Sequence, residues 1–173
     1  MDHLTRLALA AGRDAAECAD FLRAAQPEVW RFCAASTDAQ SADDLAQETL
    51  VRALRALPRF VGDSSARTWL LVIARRVVVD HVRVQARRRR LVMRLRATAV
   101  ESVAADPHVV VTPDRLLATL HSDRREAFIL TQLMGLRYAE AAAVLGCPVG
   151  TIRSRVARAR EDLVRLTAQA EAV

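Results

Sequence analysis

The stretch that most restricts what this chain can become is Leu136–Leu163, LRYAEAAAVLGCPVGTIRSRVARAREDL. Tyr138 to Leu145 is Ala-rich and suits a helix, and Gly146 is a natural left-handed stop after it. Cys147 and Pro148 do not continue that helix, and Pro148 pre-sets the backbone for the next one. The second helix then places Ile152, Val156, Ala159 and Leu163 at spacings of four, three and four, one apolar stripe. Thr151, Arg153, Ser154, Arg155, Arg158 and Arg160 lie off that stripe. Two short helices, a sharp turn and an arginine–hydroxyl outer face are the recipe of a helix-turn-helix. Arginine can bond bidentately to guanine, and Ser and Thr can serve bases or phosphates. A solvated basic helix on an ordinary helical hairpin is the blander reading. The agreement of turn, spacing and arginine clustering favours a major-groove reader over it.

Composition points the same way. All 26 basic residues are arginine, and a net charge of +6 with a pI near 10.7 favours a polyanionic partner. Five Gly, five Pro and helical apolar spacing almost throughout predict an all-α protein. No apolar run is long enough to span a bilayer, and the N-terminus lacks the features of a signal peptide, so the expected location is cytoplasmic, away from membranes. Cys18, Cys33 and Cys147 form no CxxC pair and read as reduced core residues, and the four histidines are scattered. No catalytic constellation, metal site or cofactor motif is present.

Along the chain, Asp14 to Ala35 predicts one helix, or two interrupted near Pro27, with Trp30 and Phe32 as core anchors. In the next helix Ser41 is the expected N-cap and Pro58 the stop. Ala42, Leu45, Ala46, Thr49, Leu50, Ala53, Leu54 and Leu57 form its inner face, and Asp44, Gln47, Glu48, Arg52 and Arg55 its outer one. A turn rich in Gly, Asp and Ser (residues 60–68) precedes a long helix from Trp69, with Leu70, Ile73, Ala74, Val77 and Val78 facing inward. Residues 83–96 carry seven arginines and no acid, a solvated or phosphate-contacting surface. Residues 95–113 lose helical period and read as a linker, with Val109–Val111 as an alternative short strand. After it, Ser122 and Asp123 are expected to cap a helix that ends at Gly135.

Three blocks together carry a resemblance: DDLAQETLVRALRALPRF at 43–60, TWLLVIARRVVVDHVR at 68–83, and LRYAEAAAVLGCPVGTIRSRVARAR at 136–160. In kind, order and separation they resemble a group IV (extracytoplasmic function, ECF) sigma factor of bacterial RNA polymerase, within the sigma-70 family. The resemblance implies two small helical domains joined by a flexible linker. Residues 1–94 would form the region 2 bundle, 95–113 the linker and 114–173 the region 4 helix-turn-helix. It implies contact with the clamp helices of core RNA polymerase through Asp44, Gln47 and Glu48. It places minus-10 reading and base capture at Gly62, Asp63, Ser64, Ser65, Arg67, Thr68, Trp69, Arg75 and Arg76. Minus-35 reading falls to Thr151, Arg153, Ser154, Arg155 and Arg158, with Thr151 and Arg155 holding phosphates.

The implied function is promoter-specific transcription initiation with no catalytic activity of its own. Promoter DNA and core polymerase are the expected partners, an anti-sigma factor a further one, and the free chain a monomer. With few residues after Leu163, no added C-terminal regulatory domain is expected. The alternative is a dimeric helix-turn-helix regulator that needs no polymerase, in which the DDLAQET helix has no role. Three positions depart from the family pattern. Arg76 stands where many relatives have Asn, so a donor-only group replaces an amide. Arg137 stands where Ser would cap a helix, and Ala142 replaces a larger aliphatic.

Overall fold

The computed structural model describes residues 1–11, 14–96 and 113–171. Among them, every regular element is helical. Four α-helices build the first unit: α1 (His3–Ala10), α2 (Ala15–Ser36), α3 (Ala39–Ala56) and α4 (Ala66–Arg96). A 3₁₀ turn at Leu57–Arg59 closes α3, with Pro58 where the helix must stop. The second unit contains α5 (Pro113–Thr119), α6 (Ser122–Phe128), α7 (Tyr138–Leu145) and α8 (Val149–Glu171).

Helices α2, α3 and α4 pack on one another, and α1 braces α2 and α4. Phe21 and Phe32 of α2 and Leu70 and Leu71 of α4 are fully buried between them. Each such side chain contributes about 1.5–3 kcal/mol through burial. In the second unit Ile152 and Val156 of α8 are buried, and the third member of their stripe, Ala159, packs on Leu117 and Leu120. The two units touch: α7 lies against α4, and one continuous core cluster runs from α1 to α8. One ion pair and one side-chain to backbone hydrogen bond reinforce that seam. Arg75 of α4 meets Glu126 of α6 at 2.8 Å, and Arg67 binds both Glu28 and the Met134 carbonyl.

The structure corrects several expectations. Asp38, not Ser41, caps α3; its Oδ1 accepts the Ser41 amide at 2.8 Å and its Oδ2 the Ser41 hydroxyl. Both residues are good caps, and the helix starts at the earlier one. Pro27 lies inside one uninterrupted 22-residue α2. Phe32 is a core anchor, but Trp30 is 39% exposed and donates its indole N–H to Asp43 at 2.7 Å. Leu54 is exposed rather than buried, while Leu71 joins the core beside Leu70. Helix α4 begins at Ala66 and continues through Arg96, into the residues read as linker. Residues 97–112, including the Val109–Val111 alternative, lie outside the described residues.

In the second unit His121 precedes α6 without a side-chain cap, so Ser122 and Asp123 sit in the first turn. After Phe128 the backbone widens into a π turn, Ile129–Leu133, closed by the Met134 amide on the Ile129 carbonyl at 2.9 Å. The second helix of the helix-turn-helix is not short: α8 spans 23 residues.

Candidate nucleic-acid interface

Helix α1, absent from the sequence reading, fixes the loop that leads into α4. Asp2 caps α1 by accepting the Thr5 amide at 2.8 Å, and it also accepts the Thr5 hydroxyl at 2.7 Å. The same Thr5 oxygen accepts the buried amide of Ala66, the first residue of α4, at 2.9 Å. One hydroxyl thus links two helix starts 61 residues apart. Burial alone pushes the Asp2 carboxyl up, but the bonds from Thr5 outweigh it and hold the group below its ordinary value. Leu9 lies under Gly62, whose φ of +82° favours glycine. The signal for α1 was available as Asp2 three residues before Thr5, a capping spacing.

Within the loop, Ser65 is the cap of α4. Its hydroxyl accepts the Thr68 amide at 3.1 Å and donates to the Thr68 hydroxyl at 2.9 Å. Those two side chains are therefore engaged with each other, and Thr68 is buried. Asp63 and Ser64 are exposed, and Val61 beside them is 72% exposed, an apolar surface that motif reading passed over. Trp69 is half-buried and packs on Phe60 with ring centroids 5.0 Å apart. Arg67 and Arg75 are both drawn into the seam described above, whereas Arg76 is exposed. The loop and the start of α4 thus divide into a tied set and a free set.

The outer face of α3 is acidic and open: Asp44, Gln47 and Glu48 are all exposed. Glu48 pairs with Arg52 at 2.7 Å, and Arg52 also approaches Asp80 of α4 at 3.6 Å. At the start of the helix the Ser41 amide holds the Asp38 carboxyl below its usual value. A groove of about 830 Å³ runs past Asp44, between the α2–α3 junction and α4, with His81, Arg89 and Arg125 among its walls.

On the helix-turn-helix the turn forms as the sequence requires. Gly146 adopts φ +63°, and the Cys147 amide bonds the Ala142 carbonyl at 3.1 Å. Arg137 has no acceptor and caps nothing with its side chain; Glu140 instead accepts the Arg137 amide at 2.8 Å and its guanidinium at 3.0 Å. The guanidinium and then the amide hold the Glu140 carboxyl below its ordinary value. Ala142 is buried at this site despite its small size.

On α8, Arg155 pairs with Asp123 at 2.5 Å and Arg160 donates to Gln132 at 2.7 Å. Arg153 and Arg158 are exposed and unpaired among the described residues, and the Ser154 hydroxyl folds back onto the Thr151 carbonyl at 3.0 Å. The cysteines are free thiols; burial pushes Cys33 up to about 11, so it stays protonated and inert. No described group of His, Cys, Asp and Glu could hold a metal ion, and no described helix is long and apolar enough to cross a membrane.

Comparison with known proteins covers both helical units. The family model for sigma-70 region 2 covers residues 21–88, and that for sigma-70 region 4 covers residues 114–163. The chain is 50% identical over 167 residues to a protein of Mycobacterium bovis named probable RNA polymerase sigma-C factor. That alignment covers 93% of this chain and 89% of the relative. It is 39% identical to the RNA polymerase sigma-H factor of Pseudomonas aeruginosa, over 73% of this chain and 72% of that protein. Among solved structures, the sigma factor RpoE in complex with the anti-sigma factor NepR from Bartonella quintana superposes with a TM-score of 0.67 at 33% identity. The match covers 88% of this chain and 97% of RpoE. CnrH, in complex with the cytosolic domain of CnrY, shares the fold with a TM-score of 0.73 over 97% of this chain and 99% of its own. Two helical units carrying regions 2 and 4 in order, at this level of identity, leave one conclusion: the chain belongs to the sigma-70 family of RNA polymerase sigma factors, in its ECF group.

Proposed function

We propose that this ECF sigma factor divides promoter recognition and polymerase binding among three surfaces of one chain. The outer face of α3, through Asp44, Gln47 and Glu48, docks on the clamp helices of core RNA polymerase. The loop from Gly62, with Asp63, Ser64 and Arg76 reachable from solvent, receives and reads the opened minus-10 strand. Ser65, Thr68 and Trp69 hold that loop in shape, and Arg67 and Arg75 reach DNA once released from Glu28, Met134 and Glu126. The outer face of α8 reads the minus-35 duplex. Arg153, Ser154 and Arg158 approach bases, Thr151 holds phosphate, and Arg155 does so once released from Asp123. Extruding a base costs a few kcal/mol of stacking, which the rigidly held loop offsets with contacts.

The observation that carries this reading is the sorting of arginines on α8. Arg155 and Arg160 are bonded within the protein, while Arg153 and Arg158 project from the same helix with no partner among the described residues. An arginine left unbonded on the exposed face of a recognition helix suits guanine contact. The protein performs no chemistry itself; polymerase supplies the catalytic site, and the work is done in the cytoplasm. An anti-sigma factor is a further partner, supported by the 33% identical RpoE in complex with NepR.

The test compares two variants in reconstituted holoenzyme. Arg158→Ala should weaken minus-35 binding by roughly 1–3 kcal/mol and leave core binding intact. The double variant Gln47→Ala/Glu48→Ala should lose core binding. Assembly of that double variant at wild-type affinity would remove α3 from the interface.

A further inference from the structure

The arginine run of the sequence has no role in the three surfaces above. In the structure it resolves into a pattern. Arg76, Arg83, Arg87, Arg90 and Arg94 follow one another along α4 at spacings of seven, four, three and four. At 3.6 residues per turn these five fall within about 60° of one helix azimuth, over roughly 27 Å of helix length. The stripe lies opposite the face that buries Leu70, Ala74 and Val77, so it points away from the protein. Every residue from Val82 to Leu95 except Gln85 is exposed, and the stripe lies outside the groove that His81, Gln85 and Arg89 line.

The stripe is also electrically uncompensated toward its end. Arg83 approaches Asp80 at 4.0 Å, and the same Asp80 pairs with Arg52 at 3.6 Å in a small notch of about 350 Å³ shared with Arg75 and Arg76. Beyond it, Arg87, Arg90 and Arg94 have no hydrogen-bond or ion-pair partner among the described residues. Like charges three and four residues apart destabilise a helix, so this spacing works against the helix when nothing covers it. A polyanion with regularly placed charges removes that cost. The region 2 match ends at residue 88, so Arg90 and Arg94 lie beyond it.

We propose that this stripe is a phosphate-tracking rail for the duplex DNA of the promoter spacer, upstream of the minus-10 element. Charge complementarity and continuity with Arg76 select the occupant: the rail starts at the minus-10 surface and runs outward from it. Its contacts are to backbone phosphates, so it adds affinity without adding sequence preference. The placement on the upstream side rests on the minus-10 assignment made above.

The experiment measures promoter binding by the full holoenzyme against salt concentration, comparing wild type with Arg87→Gln/Arg90→Gln/Arg94→Gln. These side chains are exposed and Gln keeps helix propensity, so the fold is retained. Three lost phosphate contacts should lower the slope of log affinity against log salt by about 2.7. Between 50 and 200 mM salt, wild type should then lose about 40-fold more affinity than the variant. The matching lysine triple should restore the slope, and changing the spacer sequence should alter nothing. DNA with uncharged methylphosphonate linkages in the spacer should bring wild type down to the variant.

An unchanged slope overturns the proposal. So does a loss that appears in core binding rather than DNA binding, which would make the stripe a polymerase surface. A loss that depends on spacer sequence would replace phosphate tracking with base reading. The companion variant Asp63→Ala/Ser64→Ala reports separately on the minus-10 loop through permanganate reactivity of opened thymines. Normal opening there would remove the loop assignment and leave the slope result standing.

Discussion

Thr5→Val is the sharpest test of how the DNA-reading loop is held. Valine has the shape of threonine and a similar helix propensity, so α1 is not otherwise altered. The change deletes one oxygen that accepts the Ala66 amide at 2.9 Å and donates to Asp2 at 2.7 Å. Asp2 lies at the surface and rehydrates at little cost, and its bond to the residue-5 amide survives. Ala66 is fully buried, so its amide is left without a partner and without water. An orphaned buried donor costs about 1–3 kcal/mol. A shift of 1–2 kcal/mol multiplies the unfolded fraction roughly 5–30-fold. Urea unfolding followed by circular dichroism measures this directly, with an unchanged m-value as the check on the denatured state. Thr5→Ser, which keeps the oxygen, should retain most of the stability. If Thr5→Val unfolds within about 0.3 kcal/mol of wild type, or Thr5→Ser loses as much, the hydroxyl bridge does not hold α4.

Two further predictions concern the helix starts. Arg137→Ser introduces an acceptor at the start of α7 while Glu140 keeps its bond to the residue-137 amide; the melting temperature should rise by about 2–4 °C, as one added cap does for a chain of this size. A fall in melting temperature would mean that the Arg137 guanidinium matters more to Glu140 than the cap does to α7. Acid should act on three carboxylates together. Asp2, Asp38 and Glu140 all lie below their ordinary values of 3.8, 3.8 and 4.5 in the folded chain. A depressed folded value means the native state holds its charge longer than the unfolded state. Stability from these groups is therefore complete above about pH 4.5 and is lost as pH falls through the folded values. Asp2→Asn/Asp38→Asn/Glu140→Gln should flatten that part of the pH–stability curve, and an identical acid slope would show that other carboxylates carry it.

Much of the fold was legible because its determinants are local. Gly146, Pro148 and the Ile152–Val156–Ala159 stripe specify the helix-turn-helix within a few turns of chain, and the period of α3 marks its inner face. Where the outcome depends on neighbours far along the chain, the pattern misleads. Trp30 has helical core spacing, yet its indole reaches out to Asp43, and Leu54 shares the inner-face spacing of α3 yet stays 42% exposed. The π turn at Ile129–Leu133 is not announced by the sequence, because the apolar run Phe128-Ile129-Leu130 fits a regular helix as well. Helix α1 is only eight residues long and owes its place to the packing of Leu9 and the Thr5 bridge. The resemblance could put Arg67 and Arg75 at the DNA surface, but not the bonds that carry them across the seam to Met134 and Glu126. Those partners are set by how α7 docks on α4, a relation between segments some 70 residues apart in sequence.

The most direct test of the account mixes the purified protein with bacterial core RNA polymerase and follows assembly by native gel and run-off transcription on host genomic fragments. The account predicts one shifted complex and transcripts absent without the protein, with start sites preceded by two dissimilar elements. Failure to bind core, together with binding of the protein alone to a palindromic site as a dimer, would contradict it.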